Sequence, residues 1–405
     1  MRFAHIADCH IGSWRDPKLG DLGLESFNYA VERCISQRLD FILIAGDLFN
    51  TAIPSIDRLK SVVEKLTLLK SSGISVYIIP GSHDFSPSGK TMLDVLESAG
   101  LCINVVKGTV IDEKLRLDFT VDEKTGAKIT GMLGKKGTLE KGYYEDLDRD
   151  SLEKEPGFKI FMLHSAITEL KSKGLENMES IPQSMLPKGF DYYAAGHVHE
   201  RKVEKGDGVI VYPGPLFPNN FKELEELGHG GFYIYDDSAL IYEEIKLHNT
   251  IPITIDCSYK TPESVQAEIL AAAAEHDCKD AIMTMRVAGK LSSGRVSDID
   301  FKAVFDRLYE RGAYFVMKNT AAIQTEGFEA VKVHEEGIDD IEDSLISEHL
   351  GQVKVEGMGK EQEREKVHKL MQHLNQEKEE GERNPDFEKR IVDGMEILVE
   401  KDNSA

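Results

Sequence analysis

The sequence predicts an α/β protein: two stacked sheets flanked by helices, then a smaller α+β domain and a helical C-terminal tail. Three observations predict it. From residue 1 to about 250, short apolar runs alternate with segments of helical spacing. The last runs of that stretch, "GVIVYPG", "GGFYIYD" and "ALIYEEIKL", have no long helix between them. Beyond residue 330 the composition turns polar and acidic.

The first strand is the apolar run Phe3, Ala4, Ile6 and Ala7, which stops at Asp8 and His10 with no turn residue between. On an extended strand side chains two apart share a face, so Asp8 and His10 are expected to point the same way. Further strands are "DFILIAGD" at 40–47, "ISVYIIPG" at 74–81, "FKIFMLH" at 158–164 and "DYYAAGH" at 191–197. The helix between the second and third shows Ile56, Leu59, Val63, Leu66 and Leu69 at three-to-four spacing, with Gly73 as its stop. The three late runs, lacking crossover helices, predict a second and more antiparallel sheet. Residues 1–250 form this first domain.

Residues 251–330 read as a smaller α+β domain of strand "IPITIDCS", helix "PESVQAEILAAAAEH", strand "AIMTMRVAGKL", helix "DIDFKAVFDRLYERG" and strand "AYFVMKN". Thr261 before Pro262 marks a helix start, because Thr caps and Pro needs no N–H at the first helical position. Residues 331–405 form an acidic tail with 21 Asp/Glu against 11 Lys/Arg. Its first amphipathic stripe, Ile338, Ile341, Leu345 and Ile346, suits either folding back or docking in a partner's groove.

The 405 residues carry 41% hydrophobic and 30% charged side chains, ordinary for a globular protein. Met1 leads directly into the first strand, and no apolar run approaches a membrane span, so a cytoplasmic protein is expected. Five widely spaced cysteines form no CxxC pair, so neither a zinc knuckle nor a disulfide framework is indicated. Cys9 is expected in the core. The formal charge of −22 weakens a nucleic-acid reading, yet the tail alone holds −10 of it.

Five apolar strands each end in a metal-type residue: Asp8 with His10, Asp47, His83, His164, and His197 with His199. Ligand sites in α/β sheets lie at the carboxyl ends of strands, where these groups can converge. One such pair alone would be an ordinary local hydrogen bond; five in succession exceed what core packing requires. Gly46, Gly81 and Gly196 precede these residues and permit close backbone approach. His5, by contrast, lies inside a strand and is expected to be packed. Mixed carboxylates and imidazoles suit a pair of ions such as manganese, iron or zinc, not magnesium or calcium. Two such ions about 3.5–4 Å apart can share a bridging carboxylate, polarise a phosphoryl oxygen and activate water.

The blocks "DCH", "GDLFN", "GSHD", "LH" and "GHVH" resemble, in order, the five-block signature of the calcineurin-like metallophosphoesterases. With "IP" after "GDLFN", the "YPGP" run after "GHVHE", the second domain and the tail, the chain resembles the SbcD-type nuclease subunits of the DNA double-strand-break repair complex. The resemblance implies the metallophosphoesterase sandwich, a DNA-capping role for residues 251–330 and manganese-dependent phosphodiester hydrolysis with two manganese ions per chain. One ion would take Asp8, His10, Asp47 and His199; the other would take Asp47, His164 and His197, with Asp47 bridging. Ser82 stands where the family usually carries an Asn ligand, and Asn50 where some relatives carry a His that supports exonuclease action. His83 would stabilise the transition state or protonate the leaving oxygen, oriented by Asp84. DNA would meet Lys135, Lys136, Arg201, Lys202 and Arg295. The resemblance also implies a homodimer, an SbcC-type coiled-coil ATPase bound through the Ile338 stripe, no membrane, and a nucleoid-associated place in the cytoplasm. A small-molecule or nucleotide phosphoesterase of the same superfamily and a non-catalytic subunit of the repair complex are the competing readings.

Overall fold

The computed structural model describes residues 1–85, 91–135 and 140–324, with isolated positions between 362 and 393. Lys136 and the stripe of Ile338, Ile341, Leu345 and Ile346 lie outside the described residues. One compact unit comprises Met1–Cys257, Thr261–Gly289 and Val296–Ile323; a second takes Ser258–Lys260, Lys290–Arg295 and the chain from Gln324 onward.

The chain opens with β1 (Arg2–Ile6), α1 (Pro17–Ser36), β2 (Phe41–Ala45), α2 (Ile56–Ser71), β3 (Ser75–Ile79), α3 (Met92–Ser98) and β4 (Ile103–Asn104). A hairpin of β5 (Gly108–Ile111) and β6 (Lys114–Leu117) leads to β7 (Thr120–Val121), β8 (Lys128–Gly131), α4 (Lys141–Glu145) and α5 (Arg149–Glu153). There follow β9 (Lys159–His164), β10 (Tyr192–Gly196), β11 (Lys202–Gly206), β12 (Gly208–Tyr212), α6 (Phe221–Leu227), β13 (Gly230–Asp236) and β14 (Ala239–Ile245). The last elements are β15 (Asn249–Asp256), α7 (Pro262–Ala274), β16 (Ala281–Lys290), α8 (Phe301–Glu310) and β17 (Phe315–Gln324).

Two six-stranded sheets result, ordered β14-β13-β1-β2-β3-β4 and β11-β12-β10-β9-β8-β7, with a three-stranded sheet β15-β16-β17. The large sheets stack: Phe3, Phe41 and Tyr77 of one share a dry layer with Ile160, Met162 and Tyr192 of the other. Phe3 lies at the centre, its ring 4.9 Å from Phe41, 4.7 Å from Tyr235 and edge-on to Tyr192 at 5.1 Å. Burying each such ring contributes about 2 kcal/mol, which makes this layer the main clamp between the sheets. Helices α1 and α2 cover the outer face of the first sheet through Phe27, Val31, Val62 and Leu66. As the sequence suggests, Thr261 caps α7 by accepting from the Ser264 N–H, with Pro262 at the first helical position.

The late runs do not build a second sheet of their own. The strand "GVIVYPG" joins β10 in parallel, Tyr192 opposite Val209, whereas "GGFYIYD" runs antiparallel to β1, Phe3 opposite Tyr235. Alternating apolar residues show that a strand is half-buried but not which sheet buries it. The antiparallel pairs therefore sit at the margins of both sheets, while β1 to β4 and β8 to β10 with β12 are parallel and place their carboxyl ends together.

Candidate metal centre

The residues singled out from the sequence gather where the carboxyl ends of β1, β2, β3, β9 and β10 meet. Asp8 and His10 do so by a different route from the one expected. Strand β1 ends at Ile6, and Asp8 and His10 adopt left-handed φ angles of 52° and 42°, so face-sharing on a strand is not what aligns them. Asp47 (φ 52°) and His197 (φ 84°) share that backbone region. Each such residue costs about 1–2 kcal/mol, and strain of this kind persists where the surroundings over-determine it.

Those surroundings are visible. The Asp8 N–H donates to Gly46 O (3.2 Å), His10 N–H to Asp47 O (2.9 Å) and Ile11 N–H to Leu48 O (3.1 Å), lacing the β1 and β2 loops together. Asp84 fixes the same region from below: its carboxylate accepts from the N–H groups of Leu48 (3.2 Å), Phe49 (3.1 Å) and Gly81 (3.1 Å). Burial, helped by the Asp47 carboxylate, pushes the Asp84 pKa up to about 7. This corrects the expectation that Asp84 orients His83. The imidazole of His83 instead pairs through Nδ1 with Asn50 O at 2.8 Å, while the backbone N–H of His83 donates to Asp47 Oδ1 at 2.8 Å.

Two glycines leave room for this closeness. A Cβ on Gly81 would overlap the Asp47 carboxylate, and one on Gly46, whose φ is +87°, would overlap the His164 ring.

The protonation pattern points to a cation. His164 Nδ1 lies 2.9 Å from Ala45 O and must carry a proton to donate there, so Nε2 is left facing Asp47 Oδ2 at 3.1 Å. A lone pair and a carboxylate at that distance demand positive charge between them. Burial opposes charge on His164, but Asp47 outweighs it and raises its pKa to about 10, so a proton on Nε2 supplies that charge wherever a metal cation does not take its place. Burial likewise opposes charge on Asp47, and His164 outweighs it, holding the carboxyl well below the usual range. His199 Nδ1 lies 2.9 Å from Glu223 Oε1, which leaves its Nε2 3.1 Å from His10 Nε2 and 3.8 Å from Asp8 Oδ1. Burial lowers the pKa of His10 to about 3 and of His197 to about 4, so both are neutral, as ligands must be. Burial raises Asp8 to about 6 against the pull of His199 and His164. Among the described residues, Asp8 Oδ2, His10 Nδ1 and His164 Nε2 are buried without a hydrogen-bond partner. A divalent cation would satisfy Asp8 Oδ2 and His164 Nε2, and the residues present fit it; His10 turns Nε2, not Nδ1, toward His199 and Asp47.

Three overlapping clusters have ligand atoms within 4.8 Å of one another: Asp8–His10–His199, Asp8–Asp47–His164 and His10–Asp47–His83. The His197 ring sits 5.2 Å from that of His164. A cavity of ≈330 Å³ opens over them, lined by His10, Asp47, Ser82, His83, His197 and His199. A wider cavity of ≈1000 Å³ lies against the β11–β12 turn, at the opposite ends of the strands, and shares none of these residues.

The remaining candidates are placed more loosely. Lys135 donates to the Tyr143 hydroxyl at 2.7 Å and lies 5.2 Å over the Phe85 ring. Arg201 stacks over Tyr242 at 4.6 Å, and Lys202 Nζ donates to Leu170 O at 2.6 Å. Arg295 belongs to the second compact unit. Sequence reasoning missed Glu223, the partner of His199, and the Asn50 carbonyl, the partner of His83. The only trace of Glu223 was the spacing Asn220-x-x-Glu223, a helix-start pattern with no visible link to a histidine 24 residues away.

Comparison with known proteins agrees with this geometry. The chain is 30% identical over 240 residues to the DNA double-strand break repair protein Mre11 of Archaeoglobus fulgidus, covering 56% of this chain and 52% of that one. It is 28% identical over 265 residues to the protein of the same name from Methanocaldococcus jannaschii, covering 64% and 67%. It is 26% identical over 265 residues to the uncharacterized metallophosphoesterase YhaO of Bacillus subtilis, covering 62% and 61%. The match thus spans about half the length of the Archaeoglobus relative. The calcineurin-like phosphoesterase profile matches residues 1–201, which hold every group in the three clusters, and the chain belongs to that family.

Proposed function

We propose that this chain is a manganese-dependent DNA nuclease that hydrolyses phosphodiesters with two ions per chain and acts in double-strand-break repair beside an SbcC-type coiled-coil ATPase. The observation that carries the reading is the convergence of buried carboxylates and imidazoles whose lone pairs lack partners, in a chain similar to proteins named for break repair. Two bound divalent ions supply Lewis acidity toward the phosphoryl group and a nucleophile at neutral pH. Asp8, His10, Asp47 and His199 would hold one ion; Asp47, His164 and His197 would hold the other, with Ser82 beside it. Asp47 positions both, its Oδ2 facing His164 at 3.1 Å and His10 at 3.5 Å. His83, held through Nδ1 on Asn50 O, stabilises the transition state or protonates the departing oxygen.

Lys135, Lys136, Arg201, Lys202 and Arg295 contact the DNA backbone, and residues 251–330 cap the duplex. The tail engages the ATPase through Ile338, Ile341, Leu345 and Ile346. Two copies pair, for which Ile53 and Ile56, 80% and 83% exposed, offer apolar surface. Among the described residues no helix is long and apolar enough to cross a membrane, and the proposed workplace is the nucleoid.

The test is purified protein on end-labelled duplex and hairpin DNA, with and without manganese. Manganese-dependent cleavage is expected. Hydrolysis of a chromogenic phosphodiester with intact DNA would favour a small-molecule phosphoesterase, and inertness toward both would favour a non-catalytic subunit.

A further inference from the structure

Helix α6 touches both the metal centre and the three-stranded sheet. At its start, Glu223 Oε1 meets His199 Nδ1 at 2.9 Å, and Glu223 Oε2 accepts from the Asn219 N–H at 2.8 Å. Asn220 caps the helix by accepting from the Glu223 N–H at 3.0 Å, which locks the carboxylate's place on the first turn. On the next turn Glu225 receives Arg286 of β16 in a two-pronged contact, Nε at 3.0 Å and Nη2 at 2.5 Å to Oε2. The same guanidinium lies 5.2 Å over the Phe221 ring. At the helix end the Thr250 hydroxyl of β15 donates to Gly228 O at 2.7 Å. The side chain of Leu224 is fully buried with Ile282 of β16. The helix has seven residues, so any rotation imposed at Phe221, Glu225 or Gly228 moves Glu223 with it.

A ligating histidine needs its second ring nitrogen held, since that bond fixes the tautomer and aims the lone pair. In this chain the holder of His199 stands on an element fastened by the neighbouring sheet. We infer that Glu223 is a positioning residue for His199, and that α6 makes the setting of this ligand depend on the β15–β16 sheet through the Arg286–Glu225 pair. The inference rests on the reading of His199 as a metal ligand. It deepens that reading by giving the three-stranded sheet a control over the metal centre beyond contacts to a substrate.

The test is a double-mutant cycle read by manganese calorimetry on the full chain, with thermal unfolding as the control for folding. Glu223→Ala is expected to weaken one of two manganese binding events roughly 10- to 100-fold. Glu223→Gln, whose amide oxygen still accepts from Nδ1–H, should recover most of that loss; a role in the helix alone would leave both variants near the wild-type affinity. Arg286→Met is expected to weaken the same event about 3-fold in the wild-type background and to have no further effect beside Glu223→Ala. Equal effects of Arg286→Met in both backgrounds, or none in either, would overturn transmission through α6. Unchanged manganese affinity in Glu223→Ala would overturn the positioning role. Failure of the wild-type chain to bind manganese would instead strike the proposed function itself.

Discussion

The two large sheets deliver their shares of the metal centre by different means. The loops after β1, β2 and β3 bring Asp8, His10, Asp47 and His83, and backbone atoms hold them: three loop-to-loop N–H···O bonds, with Asp84 gathering three further N–H groups. The ends of β9 and β10 bring His164, His197 and His199, and these lean outward. His164 rests on Ala45 O of the first sheet, the His197 N–H on Asp8, and His199 on Glu223 of α6. One half is set by main-chain bonds among loops of its own sheet; the other is set by borrowed partners. Damage to the first half should therefore cost stability and metal together, whereas damage to the second should cost metal alone.

The largest expected effect comes from the group the halves share. Asp47→Ala removes the carboxylate that faces His10 and His164, and hydrolysis should fall by at least about three orders of magnitude, as when a group organising the transition state is lost. Initial rates at saturating manganese check this, and a variant retaining half its rate would refute the shared role. Next is Asp84→Ala, which strands three buried N–H groups on the first half. Since each costs about 1–3 kcal/mol, a loss of about 3 kcal/mol in denaturant unfolding is expected, together with weaker manganese binding. Full stability in that variant would erase the contrast between the halves.

How much of this could be read beforehand follows the same division. The strand-end residues were legible because each stands beside an apolar run that announces its strand, and Gly46 and Gly81 announced crowding that the structure bears out at His164 and Asp47. The role of Asp84 was misread, because sequence adjacency to His83 suggested a side-chain partner, while the turn directs its carboxylate to Leu48 and Phe49. Glu223 was invisible: its link to His199 depends on where β10 and α6 come together, and no local pattern carries that. The sheet assignment of β12 and β13 failed for a similar reason, since periodicity fixes a face and not a neighbour.

A smaller effect probes the cavity wall between the halves. Ser82 is buried beside Asp47 and His83 and is a shorter donor than an amide. Ser82→Asn should tighten the His164–His197 ion by about 1–2 kcal/mol, lowering the manganese activation midpoint roughly tenfold. Ser82→Ala should leave it nearly unchanged. A collapse of activity in Ser82→Ala, with one ion lost, would make the serine a ligand in its own right.

The central claim, two ions bridged by Asp47, is tested most directly by crystals grown with manganese and measured at its absorption edge. Two anomalous peaks about 3.5–4 Å apart are predicted, one against Asp8, His10 and His199, the other against His164 and His197, with Asp47 between them. A single peak, or a second peak ligated by His83 in place of His164, would contradict the account.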